Sequence, residues 1–420
     1  MAKAADVYFS VDPWKIVEEG FDPAHSRVSE SIFSLANETM GVRGCFDEGG
    51  SVDSLRGAYV NGVYEVEPLP RSYRGIITST HFLIPAADWL ATDIALDGEH
   101  LDLGRVRFRN FRRELDMHSG VLSRSFIWQT ASGKELRLSF LRFMDMENRE
   151  RAYQRVILEP LNFSGYVSFA AGLSFNVTHE AYQKIYWGDT RSEAHKNRLA
   201  LKSRTLSSDQ EVFAGALLNL PENAEIMKGE KTLSLCASIP LETGRETRVD
   251  KRVVILFNGQ TGNDLWQSGL QALDSSEKIP LDEAMRAQRD YWDAYWRISD
   301  VRIEAEEKDT AVVAAEQQGI RFCSFQLAQI YNGGRMRHNI GAKGLTGEAY
   351  NGHAFWDTEA CCLPFYLFNN PAAARSILQF RYDTLPEARE RAAELFRVPA
   401  AERVAFKCSI CSGVAPMERR

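Results

Sequence analysis

From residue 100 to about 258, apolar and polar positions alternate with period two over short stretches, the pattern of strands that bury one face. Val106 and Phe108 alternate with Arg105, Arg107 and Arg109; Leu136, Leu138 and Phe140 alternate with Arg137, Ser139 and Leu141. Further strands are predicted at 151–158, 165–171, 231–238 and 248–257, separated by clusters of Gly, Asn, Ser and Pro. Many short strands with turns between them predict a β-sandwich. The glycine-punctuated stretches 35–49 and 57–65 read as opening strands and long loops of that same sandwich.

Beyond Gly259 the period becomes helical. The segment 281–299 places Leu281, Met285, Trp292 and Trp296 on one stripe, as a helix packing aromatics between two domains requires. In the next helical segment Val313, Ile320, Cys323, Leu327 and Ile330 recur at spacings of seven, three, four and three. Asn370 before Pro371 predicts a capped helix over 371–381, and Thr384 with Glu387 makes a capping box for another running to about Leu395. Arg381 and Asp383 are read as a structural ion pair. The expected organisation is a β domain at 1–262, a helical linker at 263–305, helices of a second domain at 306–395 and a tail at 396–420.

A length of 420 residues leaves room for two or three domains. With 44% hydrophobic and 25% charged residues the chain is globular, neither disordered nor fibrous. Its 50 basic and 57 acidic side chains give a charge of −7, which repels nucleic acid and anionic lipid and suits a neutral substrate. No stretch has the length of a signal peptide core or a membrane span, so a cytoplasmic protein is expected. Of the seven cysteines, Cys361 and Cys362 sit in an apolar run and read as buried thiols, and no disulfide framework is expected. Cys408 and Cys411 form a lone CxxC with no second ligand pair, so no metal site is expected.

The chemistry concentrates at 341–359, GAKGLTGEAYNGHAFWDTE. Trp356 offers a flat apolar face and Asp357 a carboxylate that can accept two hydroxyl hydrogens, the two contacts a sugar ring needs. Lys343 with glycines 341, 344, 347 and 352 invites a phosphate cradle, but the spacing lacks the Gly-Lys-Ser/Thr element of a P-loop. The glycines are read as folding the loop tightly.

The run IGAKGLTGEAYNGHAFWDTE at 340–359, followed by LPFYLFNNPAAARSILQFRYDTLPEARERA at 363–392, resembles glycoside hydrolase family 65, whose members include maltose, trehalose and kojibiose phosphorylases. LANETMGVRGCFDEG, YVNGVYE, VLSRSFIWQTASGKELRL and RFMDMENRERAYQRVILEP extend the resemblance over roughly residues 10–394. It implies an amino-terminal β-sandwich, a helical linker and the first helices of an incomplete (α/α)6 barrel. It implies glucose contacts at Trp356 and Asp357, with His353 and Phe355 as neighbours. The implied reaction is phosphorolysis of an α-glucoside with inversion, acting on a disaccharide and inorganic phosphate without a cofactor; a hydrolase such as acid trehalase and a carbohydrate-binding or inert β fragment are the alternatives. Dimers are frequent among members, which leaves a homodimer open.

The resemblance also sets expectations of absence. The general-acid glutamate and the phosphate-binding residues of members lie in later barrel segments, so neither Glu348 nor Glu359 is expected to be the acid. The stretch from Phe396 to Arg420 leaves the family pattern, and a frameshifted or truncated product without phosphorylase activity is expected. Phe365, Tyr366, Leu367 and Ile377 are then expected to face water in part.

Overall fold

The computed structural model describes residues 8–73, 77–258, 264–304, 310–334 and 339–396. Every strand pairing in it is antiparallel. The largest sheet has ten strands, in the spatial order Phe9–Asp12, Lys15–Glu19, Arg107–Asp116, Val121–Gln129, Glu135–Met144, Arg151–Pro160, Thr247–Phe257, Glu211–Leu218, Arg198–Thr205 and Trp187–His195. A five-stranded sheet, Glu225–Lys228, Thr232–Leu241, Gly165–Ser174, Thr92–Leu96 and Glu99–His100, packs against it.

The period-two reading holds where one face meets solvent. Leu136, Leu138 and Phe140 are buried in the shared core, whereas Arg137 points outward and pairs across the strands with Glu159. It fails toward one end of the large sheet, at the eighth of its ten strands. There Glu211–Leu218 is buried along nearly its whole length, because the second helix, α2, Leu265–Glu277 (the first, α1, is the short Ser26–Ile32), covers the second face with Leu265, Trp266 and Leu273 against Phe213 and Val254.

The stretches 35–49 and 57–65 share the core of the two large sheets but do not pair with their strands. With the strand after them they build a separate four-stranded sheet of Leu35–Ala36, Met40–Val42, Ala58–Tyr73 and Ile77–Pro85. Residues 43–57 between the second and third of these strands form a long loop as expected, and glycines within the strands allow close backbone approach. At Gly41 a β-carbon would lie 2.2 Å from the carbonyl oxygen of Leu345, so this sheet and the 341–359 loop meet main chain to main chain.

Helix α3, Leu281–Ser299, matches its predicted bounds and buries the predicted stripe. Leu281 and Ala284 pack on Val121, Phe143 and Tyr153, with Met285 half-buried beside them. Trp292 meets Phe325 at 4.6 Å and Trp296 meets Trp14 at 5.2 Å, while the Trp296 indole N–H donates to the Met117 carbonyl at 2.8 Å. The stripe is therefore core.

For helix α4, Thr310–Ile330, the predicted face is the wrong one. Its buried residues are Gln317, Arg321, Phe325, Ala328 and Gln329, whereas Cys323 is exposed and Val313, Ile320, Leu327 and Ile330 are half-buried. The polar members tolerate burial because each is bonded. Arg321 forms two hydrogen bonds to Asp300, at 2.7 and 2.9 Å, and lies 3.6 Å over the Trp14 ring. Gln329 accepts from the Ala36 amide and donates to the Ser34 carbonyl.

Helices α5, Leu363–Asn369, and α6, Pro371–Asp383, follow, and α7 spans Leu385–Phe396. Asn370 caps α6 as predicted, accepting from the Ala373 amide at 3.1 Å, and the helix runs two residues past its expected end. Thr384 instead turns its hydroxyl back to the Phe380 carbonyl, closing α6 rather than opening α7 as a capping box. Tyr331, Ile340, Tyr366, Ala373, Ala374 and Ile377 form a small core of their own. Of the four residues expected to face water in part, Phe365 is half-buried and Leu367 exposed, whereas Tyr366 and Ile377 are buried; on α5 and α6 Phe368, Leu378 and Tyr382 are exposed as well. Cys361 is exposed and Cys362 half-buried, because the apolar run starts on a wide turn and not inside the core. Cys408, Cys411 and the stretch beyond Phe396 lie outside the described residues. Among the described residues no helix is long and apolar enough to cross a membrane.

Candidate functional site

The loop preceding α5 is closed at its neck, where the Ala342 amide donates to the His353 carbonyl at 3.0 Å. Gly344 and Gly352 have φ of +57° and +69°, and a β-carbon on Gly341 would lie 2.7 Å from the Gly352 carbonyl oxygen. Tight folding is thus what the glycines provide. Tyr350 and Asn351 also stand in the left-handed region, at φ of 60° and 58°, a conformation that non-glycine residues hold only when their surroundings impose it.

Those surroundings are the four-stranded sheet and the 175–186 segment. The Tyr64 hydroxyl donates to the Gly352 carbonyl at 2.9 Å, and Asn351 Nδ2 donates to Thr80 Oγ1 at 3.1 Å. Arg43 Nη1 donates to the Thr346 carbonyl at 2.7 Å. Glu348 turns inward: its Oε2 accepts from the Glu180 amide at 2.8 Å and lies 3.1 Å from His179 Nδ1, and Tyr59 donates to Oε1 at 3.4 Å. Burial raises the Glu348 carboxyl to about 7, and burial among Phe82, Tyr182 and Tyr186 lowers His179 to about 4. Tyr64 is pushed up to about 12 by burial alone.

The far end of the loop is fastened to α6. Arg381 Nη2 donates to the Phe355 carbonyl at 3.1 Å and to Glu359 at 3.0 Å, and Arg381 Nε makes a second contact with that carboxylate. Burial pushes both groups toward their neutral forms, lowering Arg381 and raising Glu359, and the ion pair opposes it. The expected Arg381–Asp383 pair is replaced: Asp383 accepts from Gln379 at 2.7 Å.

Between the two anchorages stand Trp356 and Asp357. Trp356 is 68% exposed and Asp357 is exposed too. Asp357 begins the turn Thr358–Cys362, but its side chain makes no capping bond there. Phe355 is half-buried with its ring 5.5 Å from Tyr350, and His353, half-buried beside Tyr64, has its basicity lowered by burial. The four predicted residues are neighbours in sequence, and in the structure the indole and carboxylate are exposed while His353 and Phe355 are half-buried. Tyr59, Tyr64 and His179, which hold the segment, were not singled out from the sequence. YVNGVYE contains both tyrosines, but nothing in its period distinguishes them from core residues.

Comparison with known proteins identifies the family. The family model for the glycosyl hydrolase family 65 N-terminal domain matches residues 16–295, and that for the family 65 central catalytic domain matches residues 321–401. The chain belongs to glycosyl hydrolase family 65. It is 30% identical over 397 residues to the kojibiose phosphorylase of Halothermothrix orenii, covering 91% of this chain and 48% of that protein. It is also 30% identical over 397 residues to the maltose phosphorylase of Bacillus subtilis, covering 92% and 51%. A solved structure described as "Putative kojibiose phosphorylase from human microbiome" superimposes with a TM-score of 0.88 at 35% identity, over 94% of this chain and 52% of that one. The chain spans about half the length of the curated relatives it matches.

Proposed function

We propose that this chain supplies the β region and one wall of the sugar site of an α-glucoside phosphorylase. The observation that carries this reading is the outward indole–carboxylate pair Trp356–Asp357, held from both sides on a chain 30% identical to kojibiose and maltose phosphorylases. An indole face stacks on the apolar face of a pyranose, and the adjoining carboxylate accepts two of its hydroxyl hydrogens.

In the reaction so inferred, a carboxylic acid protonates the departing glycosidic oxygen while inorganic phosphate attacks the anomeric carbon from the opposite face. Phosphate is already a nucleophile, so one catalytic carboxyl suffices where an inverting hydrolase needs two. Glu348 and Glu359 are poorly placed to be that acid. The first faces the β region beneath the loop and the second is tied to Arg381. The acid and the phosphate ligands belong, on this reading, to barrel segments outside the residues present, with α4 to α7 as the barrel's first helices.

The exposure of Trp356 favours a second reading for the chain on its own: a surface that binds a hexose and performs no chemistry. Glucose 1-phosphate release from kojibiose, maltose or trehalose with inorganic phosphate separates the two. We expect no release by this chain alone, together with measurable hexose binding by calorimetry. Phosphate-dependent release would refute the expectation of inactivity.

A further inference from the structure

Glu348 is the one acid of the loop that points away from the sugar-facing pair, and its partners come from two other parts of the chain. Tyr59 belongs to the strand Ala58–Tyr73 of the four-stranded sheet, and His179 and Glu180 belong to the segment after the strand Gly165–Ser174. The carboxylate is well covered, with side-chain exposure of 11%, and His179 is covered further, at 2%. Arg43, bound to the Thr346 carbonyl, Arg27, paired with Glu180, Lys184, paired with Glu67, and Lys343, beside the Tyr350 ring, are cations around this junction. A buried carboxyl with three partners on two separate segments fixes a loop more narrowly than backbone contacts do, because its bonds come from different directions.

We infer that Glu348 is a positioning residue: through Tyr59, His179 and the Glu180 amide it ties the 341–359 loop to the β region and so sets where Trp356 and Asp357 stand. The inference deepens the sugar-site reading and rests on it for its functional half only. Without the tether, the loop keeps its anchorage on α6 through Arg381 but loses its directional hold on the β side. The pair then samples more orientations, and hexose binding weakens although no sugar contact has been removed.

The test is hydrogen exchange on the full chain, read at the amides of Ala342, Gly344, Thr346, Asn351 and His353, all of which donate within or beside the loop. Glu348→Ala is expected to speed their exchange by about tenfold or more, while the amides of the strand Glu135–Met144 exchange as in the wild type. Glu348→Gln keeps a carbonyl oxygen to accept from the Glu180 amide and turns an NH2 group toward the Tyr59 oxygen, which can accept from it, and is expected to restore most of the protection. Calorimetric titration with D-glucose should follow the same order, with Glu348→Ala several-fold weaker and Glu348→Gln near the wild type. Unchanged loop exchange in Glu348→Ala overturns the tether, as does Glu348→Gln behaving like Glu348→Ala. Loosened exchange with no glucose binding by the wild type upholds the tether and overturns the sugar reading.

Discussion

Gly41 lies directly under Leu345, where a β-carbon would come within 2.2 Å of the Leu345 carbonyl oxygen and 2.6 Å of its β-carbon. Neither neighbour is the end of a flexible side chain, so the contact cannot relax by rotation. Gly41→Ala should force the loop off the four-stranded sheet and destabilise the protein by about 1–3 kcal/mol, as overpacking a tight contact does. Chemical denaturation measures the loss. Hydrogen exchange should show it centred on 341–353 rather than on the large sheet.

Arg381 and Glu359 make a stronger pair than the sequence neighbours Arg381 and Asp383. Their side chains are 12% and 28% exposed, so removing the guanidinium takes two hydrogen bonds and a positive charge away from a largely covered carboxylate. Arg381→Ala should cost about 1–3 kcal/mol by this route. Asp383→Ala should fall within about 0.5 kcal/mol of the wild type, as changes at exposed positions do. Equal effects of the two substitutions in urea unfolding would contradict the assignment.

The Glu348–His179 pair has an unusual pH signature. Burial raises Glu348 from 4.5 to about 7, so its contribution to stability is full below about 4.5 and is lost as pH rises through about 7. Burial lowers His179 from 6.5 to about 4, so its contribution is present above about 6.5 and is lost as pH falls through about 4. Between about 4.5 and 6.5 the folded and unfolded pair each hold one proton, and the two slopes cancel. Replacing one partner should expose the slope of the other. In Glu348→Gln, stability should rise with pH from about 4 to 6.5; in His179→Gln it should fall from about 4.5 to 7. Each slope should approach about 1 kcal/mol per pH unit over that of the wild type. Parallel profiles for the wild type and both variants would contradict the two opposed shifts.

How much of this was legible in the sequence depends on what covers each residue. Strands with one solvent face, such as Glu135–Met144, announced themselves through alternation, and Leu281–Ser299 through an aromatic stripe. The Glu211–Leu218 strand did not alternate because helix α2 covers its second face, a contact visible only in three dimensions. The face of α4 was misread because hydropathy ranks Gln317 and Arg321 as outward. Asp300 and the Val301 carbonyl, both before the helix, make them good core residues. At the site, Trp356 and Asp357 were legible because residue type and neighbourhood suffice for a sugar contact. The role of Glu348 was not, since Tyr59 and His179 lie far away in sequence and nothing in either local pattern links them.

The sugar contact itself is tested by titrating D-glucose into the wild type, Trp356→Ala and Asp357→Asn. Both side chains are exposed, so neither substitution should move the melting temperature by more than a degree or two. Binding should weaken by about tenfold or more in each, the scale of one lost stacking face or one charged hydrogen bond. Variants that bind glucose as the wild type does, with the fold intact, would contradict the account at its centre.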